Sequence, residues 1–452
     1  MKTLKNIGKI ALLSLALCGG TTSCNYLDVV PPEQASLPDA TKDPESTLGF
    51  LFSCYGGIRN PFDYQTVEAG ADEYVLPPLW NTGSQKITWD LNLPTNIADG
   101  WSWGSNYRFI GQCLLFLQQL PHARGVTDEQ KRAWAAEANF LLAYYHMVTL
   151  VAYGPCPITD TYIDQATPES EYNGRMHFDY VKDWICQKFD EVCEDGQLPA
   201  TRTGDEWGRA TSVMAKALKA RLLVYAASPL FNGSFPYKDW ENTNFETPGY
   251  GKELISLKYD RKKWEVAKAA CQEAITAAEA AGHKLFSLED AQSLYQQAGL
   301  TLPFVPFKSA EGGTADKDKE FMERVQLMRY VVTTRYKEGN RETIWGLANQ
   351  GTMIIGSLPH RVIKNNQGTW KTGYSGVSPT LNTVERFYTE NGVPIEKDNQ
   401  FYPQSEWYQS AGVTDRSDII KLNTRREPRF YAWIAFDGGD MGSRIYGGQP
   451  LK

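Results

Sequence analysis

Between Gly208 and Asn232 the apolar positions run almost all the way round a helical period. Val213, Ala217, Ala220, Val224 and Ala227 form one stripe at spacings of three and four, and Met214, Leu218, Leu222 and Tyr225 form a second beside it. Within the helix only Lys216, Lys219 and Arg221 are charged. A helix this apolar must be covered on more than one side. It should stop near Ala227, because Ser228 precedes Pro229 and that position disfavours the helical backbone. The pattern is one of packing, so any function has to come from elsewhere in the chain.

The same reading places further helices on either side. Asp43, Pro44 and Glu45 read as N-cap, first-turn proline and first-turn acid of a helix ending at Tyr55. Trp101 and Trp103 open a helix that runs to Leu120, ahead of Pro121. Thr127 and Gln130 form a capping box for the helix 128–151, with Trp134, Ala138, Leu141, Tyr145 and Val148 as its buried stripe. His146 on that helix reads as a hydrogen-bonded structural histidine. The helix 178–194 turns Val181, Ile185, Phe189 and Val192 inward, and 261–281 carries a stripe of Ala267, Ala270, Ala274 and Ala278. Paired helices with small residues at spacings of three and four predict a mainly α, tetratricopeptide-like scaffold over 41–286. After Phe286 the chain becomes rich in Gly, Tyr and turns. Over 287–452 it predicts a loop-rich, partly irregular second part. That part has short strands at Tyr330–Thr334 and Thr343–Leu347, a solvated loop at Ala315–Glu320, and a helix at Ser378–Tyr388 with Pro379 at N1.

The ends of the pattern differ from its middle. Lys2, Lys5 and Lys9 precede the short apolar run Ile10–Leu17, which is too short to span a membrane and reads as a signal peptide, residues 1–23. Thr21, Thr22, Ser23 and Cys24 then resemble a lipobox, which makes Cys24 the lipidated first residue of the mature chain. Acyl chains on Cys24 would hold the protein at a membrane surface. Residues 24–40, with Pro31, Pro32 and Pro38, predict an extended tether.

Composition narrows the function classes. The chain has 452 residues, a net charge of -7 and a mean hydropathy of -0.43. Losing the three leader lysines takes the charge to about -10. An acidic chain without a basic patch argues against nucleic-acid binding. Cys54, Cys113, Cys156, Cys186, Cys193 and Cys271 show no CxxC pair and no zinc spacing, and read as small buried hydrophobes. No cofactor or metal is called for. HExxH, GxSxG and a Walker loop are all missing, and Gly373, Tyr374, Ser375 and Gly376 do not have the spacing of a nucleophile elbow.

The remaining chemistry is aromatic. There are 13 Trp and 24 Tyr, and many fall in polar loops. Flat rings stack on the C–H faces of sugars, while Asp, Asn and Arg bond the hydroxyls. The candidate ligand residues are Tyr64, Asp72, Trp80, Trp89 and Trp101 in one loop cluster, with Tyr237 and Trp240 in a second. The competing reading is that loops this long use their aromatics as a local core.

Five stretches carry a family resemblance. They are Cys24–Asp28; the Trp103, Tyr107, Ile110 pattern; Glu137–Pro157; Gly208–Asn232 with its GRAT and ASPLFN motifs; and Pro428–Tyr431. With these the chain resembles the SusD/RagB family of Bacteroidetes surface lipoproteins. It departs at Asn139, where an arginine is common, and it stops at Lys452 where members usually continue, as a short or cut-short member would. The resemblance implies a lipid-anchored protein on the cell surface, at the outer membrane. It would sit as a lid on a SusC-like TonB-dependent transporter and pass oligosaccharides, or in some members peptides, into it. A surface glycoside hydrolase and a protein-binding scaffold are the alternatives from other classes.

Overall fold

The computed structural model describes residues 37–58, 68–80, 83–93 and 103–442, the last apart from residues 165, 298, 300, 309–315, 347–356, 359–362, 365–369, 372 and 415. The leader, Cys24, Tyr64 and Trp101 lie outside the described residues. The end of the expected tether is not extended. Leu37–Thr41 forms a 3-10 turn, because Thr41 is buried and its carbonyl accepts from the Arg124 N–H at 3.0 Å.

The architecture is mainly α. Helix α1 (Pro44–Tyr55) starts as expected, with the Asp43 carboxylate accepting from the Ser46 N–H at 2.7 Å. A short α2 (Gly83–Thr88) follows the small strand β1 (Tyr74–Val75). Helices α3 (Trp103–Gln119) and α4 (Asp128–Tyr153) pack against each other, and the Thr127–Gln130 capping box is formed at both ends. Helix α5 (Phe178–Glu191) packs between α4 and α6 (Ser212–Ala227), and α6 pairs most extensively with α7 (Arg261–Ala280). This succession of packed helices around one apolar core is what the small-residue stripes encode: Ala267, Ala270, Ala274 and Ala278 of α7 are all buried.

The stripes of α6 are shifted from expectation. Leu223 and Ala226 are buried while Val224 is 40% exposed. Coverage by α5 and α7 leaves one edge of the helix open, and Val224 falls on it. Ser228 leaves the helix in an extended conformation, as the following proline dictates.

The core of the scaffold contains a buried charge cluster. Glu137 of α4 is fully buried. Its carboxylate accepts from Arg202 at 2.9 Å, from Arg209 at 2.5 and 3.0 Å, and from the Tyr55 hydroxyl at 2.6 Å. The same hydroxyl accepts from the Ala210 N–H at 3.0 Å. The arginine and alanine of the GRAT motif are therefore clamped onto α1 and α4.

The six described cysteines are free thiols; Cys54, Cys113, Cys156 and Cys186 are buried, and Cys193 and Cys271 are partly covered. His146 is hydrogen-bonded, as expected, and fully buried. Its Nδ1–H donates to the Leu142 carbonyl at 2.8 Å, and its Nε2 accepts from the Thr159 N–H at 3.1 Å.

The C-terminal part corrects four expectations. Helix α8 (Leu288–Gln297) is followed by α9 (Asp316–Thr333), which takes up residues 316–320 of the expected solvated loop and 330–333 of the expected strand. Asp316 and Asp318 sit in its first turn, where the helix dipole favours acids. Met322, Val325 and Gln326 recur at helical spacing and are buried; Met322 and Val325 pack with Phe430 and Tyr431. No strand forms at 343–346. There Trp345 packs on Phe140 and Tyr144, and its Nε1–H donates to the Gly208 carbonyl at 3.0 Å. Beyond the small hairpin β2 (Ile363–Lys364) and β3 (Trp370–Lys371), the expected helix 378–388 divides. Ser378–Pro379 is strand β4, and α10 spans only Leu381–Arg386, because Thr380 is the cap: its hydroxyl accepts from the Thr383 N–H at 3.2 Å. A last helix, α11 (Pro428–Trp433), closes the C-terminal core. Beside it the fully buried Arg426 donates to the carbonyls of Val384, Phe387 and Leu422.

Candidate functional site

The loop segment 68–93 is held by polar side chains as well as by a small apolar core. The buried Gln85 of α2 donates to the carbonyls of Leu76 and Pro77 at 3.3 and 2.7 Å, and Thr88 donates to the Ala69 carbonyl at 2.9 Å. Ala69 and Leu76 form a small core of their own, with Tyr74, Trp80 and Val377 packed round it.

Val377 reveals what the segment leans on. Strand β1 pairs antiparallel with β4, Tyr74 opposite Pro379 and Val75 opposite Ser378. Asp72 completes the joint. Its backbone carbonyl accepts from the hydroxyls of Thr380 at 2.5 Å and Thr383 at 3.1 Å. Its carboxylate accepts from Asn382 at 2.8 Å and pairs with Arg386 at 2.8 Å. Arg386 and Asp72 are 64% and 53% exposed, so this pair faces solvent.

The structure sets Asp72 and Trp80 of this loop segment against a second segment, 373–386, while Trp89 follows α2 with its N–H donating to the Gln85 carbonyl. Trp80 is half-buried with its ring edge against Gly376, where a Cβ would lie 2.2 Å from the indole. Trp89 is 45% exposed and Leu79 almost fully exposed. Tyr237 and Trp240 lie apart from this cluster, in the other aromatic loop. The Trp240 ring stacks on Phe235 at 5.5 Å and covers Gly154, so its faces are largely occupied. Tyr237 is exposed, with only an edge contact to Phe235. That loop is bolted to its surroundings by Asn242, which donates to the Arg175 carbonyl at 2.6 Å, and Arg175 in turn lies over Trp103.

Partly exposed indoles on the segments that carry an exposed Asp–Asn–Arg group can stack on an apolar face, and the group can bond hydroxyls. The sequence reading missed Asn382 and Arg386. No local signal could have found them, because they reach Asp72 across 310 residues of chain.

Gly376 gives a direct check on this geometry. Gly376→Ala should push the Trp80 ring aside and lower stability by about 1–3 kcal/mol, the usual cost of overpacking a tight contact. An unchanged urea midpoint would show that the indole does not sit on the glycine.

Among the described residues no group of three His, Cys, Asp or Glu side chains could hold a metal ion, and no helix is long and apolar enough to cross a membrane.

A sequence model of the SusD family matches residues 328–449. The solved structure of BT4246 is 52% identical over 91% of this chain and 68% of its own length, with a TM-score of 0.82. Its selenomethionine form gives 0.78 over 90% and 67%. A SusD-like protein from Bacteroides fragilis is 18% identical over 90% of this chain and 64% of its own, with a TM-score of 0.59, and shares the fold. No curated protein matches the chain.

Proposed function

The chain belongs to the SusD family, and on that premise we propose that it is a lipid-anchored cell-surface protein that captures oligosaccharides and hands them, without catalysis, to a partner TonB-dependent outer-membrane transporter of the SusC type. The observation that carries the capture step is the joint of the two segments, with Trp80 on Gly376 and Asp72 on Asn382 and Arg386, and Trp89 exposed on the first of them. Stacking aligns a sugar ring, and the polar group accepts and donates to its hydroxyls. Such an open surface competes with water for every hydroxyl, so affinity comes mainly from the ring faces. Tyr64 and Trp101 belong to the same proposed cluster by their position in the chain. Anchoring follows from Cys24 and the leader before it, and delivery from a stable complex with the barrel.

Binding titrations test the capture step. Trp89→Ala should weaken glycan affinity tenfold or more, about 1.4 kcal/mol, with the fold intact, and Trp80→Ala should do the same at some cost in stability. Full affinity in both variants would remove these residues from the site. Delivery is tested by expressing the chain with its own leader in a native-type host and purifying it from gently solubilised outer membrane. A stoichiometric barrel in the eluate supports the reading; a soluble periplasmic protein with no barrel removes both the anchor and the transporter.

A further inference from the structure

Beside the site lies a motif that the capture reading above leaves unused. The turn Gly373–Gly376 carries Tyr374 with its side chain 56% exposed. Gly373 has φ of 78° and Ser375 has φ of 46°, a left-handed conformation that costs a residue with a Cβ. The turn is held from both sides: the Ser375 N–H donates to the Leu358 carbonyl at 2.9 Å, and Gly376 supports the Trp80 ring. Six residues beyond Thr380, on the last turn of α10, Arg386 is fixed by Asp72 but remains 64% exposed. A strained turn that presents a ring rests on the half-buried Trp80 indole, and a guanidinium aimed by a carboxylate lies on the same segment.

We propose that the segment 373–386 is the second wall of the ligand site, with Tyr374 as a second stacking ring, Arg386 as a hydroxyl-binding group, and an uncharged oligosaccharide as the ligand class. The proposal rests on the capture reading and adds Tyr374 and a substrate class to it. The charge follows from the two segments. Asp72 neutralises Arg386. Glu73, Asp90 and Glu385 then outnumber Lys86, so a carboxylated or sulfated sugar meets net repulsion. Arg386 can still donate to vicinal hydroxyls through the N–H groups that Asp72 does not occupy.

The test uses the purified full chain on a printed array of neutral, uronic-acid-containing and sulfated oligosaccharides, with calorimetry on the strongest binder. Neutral glycans should carry the signal. Tyr374→Ala and Arg386→Ala should each weaken binding at least tenfold with unchanged thermal midpoints, and Arg386→Lys should recover part of the loss. If Trp89→Ala loses binding while Tyr374→Ala binds as the parent does, or if acidic glycans bind more tightly than neutral ones, this inference fails and the capture reading stands. If no glycan binds, or if only Tyr237→Ala loses binding, both fail.

Discussion

Replacing Glu137 with alanine should cost about 3–5 kcal/mol of stability, because it leaves two buried guanidinium groups with only the exposed Glu206 carboxylate as counter-charge. Arg202 and Arg209 have side chains only 7% and 12% exposed, and both converge on this one fully buried carboxylate. The Tyr55 hydroxyl loses its acceptor in the same step. Glu137→Gln keeps the shape but offers one neutral oxygen to the arginines, so it should recover only part of the loss. Urea unfolding followed by far-UV circular dichroism measures both. A loss under 1 kcal/mol for Glu137→Ala would mean that Arg202 and Arg209 swing out to water. The effect should reach the C-terminal part, because Trp345 bonds to Gly208, the residue before Arg209. A double substitution of Glu137 and Arg202 by apolar residues should cost less than the sum of the two singles, since each single leaves the other partner stranded.

Stability should fall as the pH drops from 6.5 towards 4, with His146 as a main cause. Burial lowers its pKa from the ordinary 6.5 to about 4. Below pH 6.5 the unfolded chain takes up a proton that the folded chain refuses, so stability is present above 6.5 and is lost through this window. At about 1.4 kcal/mol per unit the full loss is about 3 kcal/mol, complete near pH 4. The geometry gives the reason. Nδ1–H already donates to Leu142, and a proton on Nε2 would point at the Thr159 N–H that it now accepts. His177 adds a loss of the same sign; its pKa is also lowered to about 4, by burial first, and its Nδ1 accepts from the Asp179 N–H at the start of α5. Thermal midpoints across pH 7 to 5, an interval above the range where most carboxylates protonate, isolate these two groups. His146→Gln should start less stable at neutral pH and show a shallower slope. A slope unchanged from the parent would assign the acid sensitivity elsewhere.

The features legible in the sequence were those made by neighbours along the chain. The capping box at Thr127, the Asp43 cap, the stop at Ser228 and the alanine stripe of α7 each depend on contacts within about four residues, and each is where the residue pattern puts it. Together they made the mainly α scaffold readable. The same locality explains the misses. Tyr330–Thr334 reads as a strand on β-rich composition, yet Met322 and Val325 bury against α11, a helix about a hundred residues later, and that packing sets the helical state. Thr380 outcompetes Pro379 as the start of α10 because β1, far back in the chain, takes Ser378 and Pro379 as its partner. The candidate site divides in the same way. Asp72, Trp80 and Trp89 could be picked out as an aromatic and acidic loop from their order alone. Asn382 and Arg386, which hold Asp72, and Gly376, which carries Trp80, come from the other end of the chain. Residue order specifies which side chains are near neighbours on a helix; only burial of the two segments against one another decides which distant side chains share a surface, because that choice is made by packing free energy summed over the whole core.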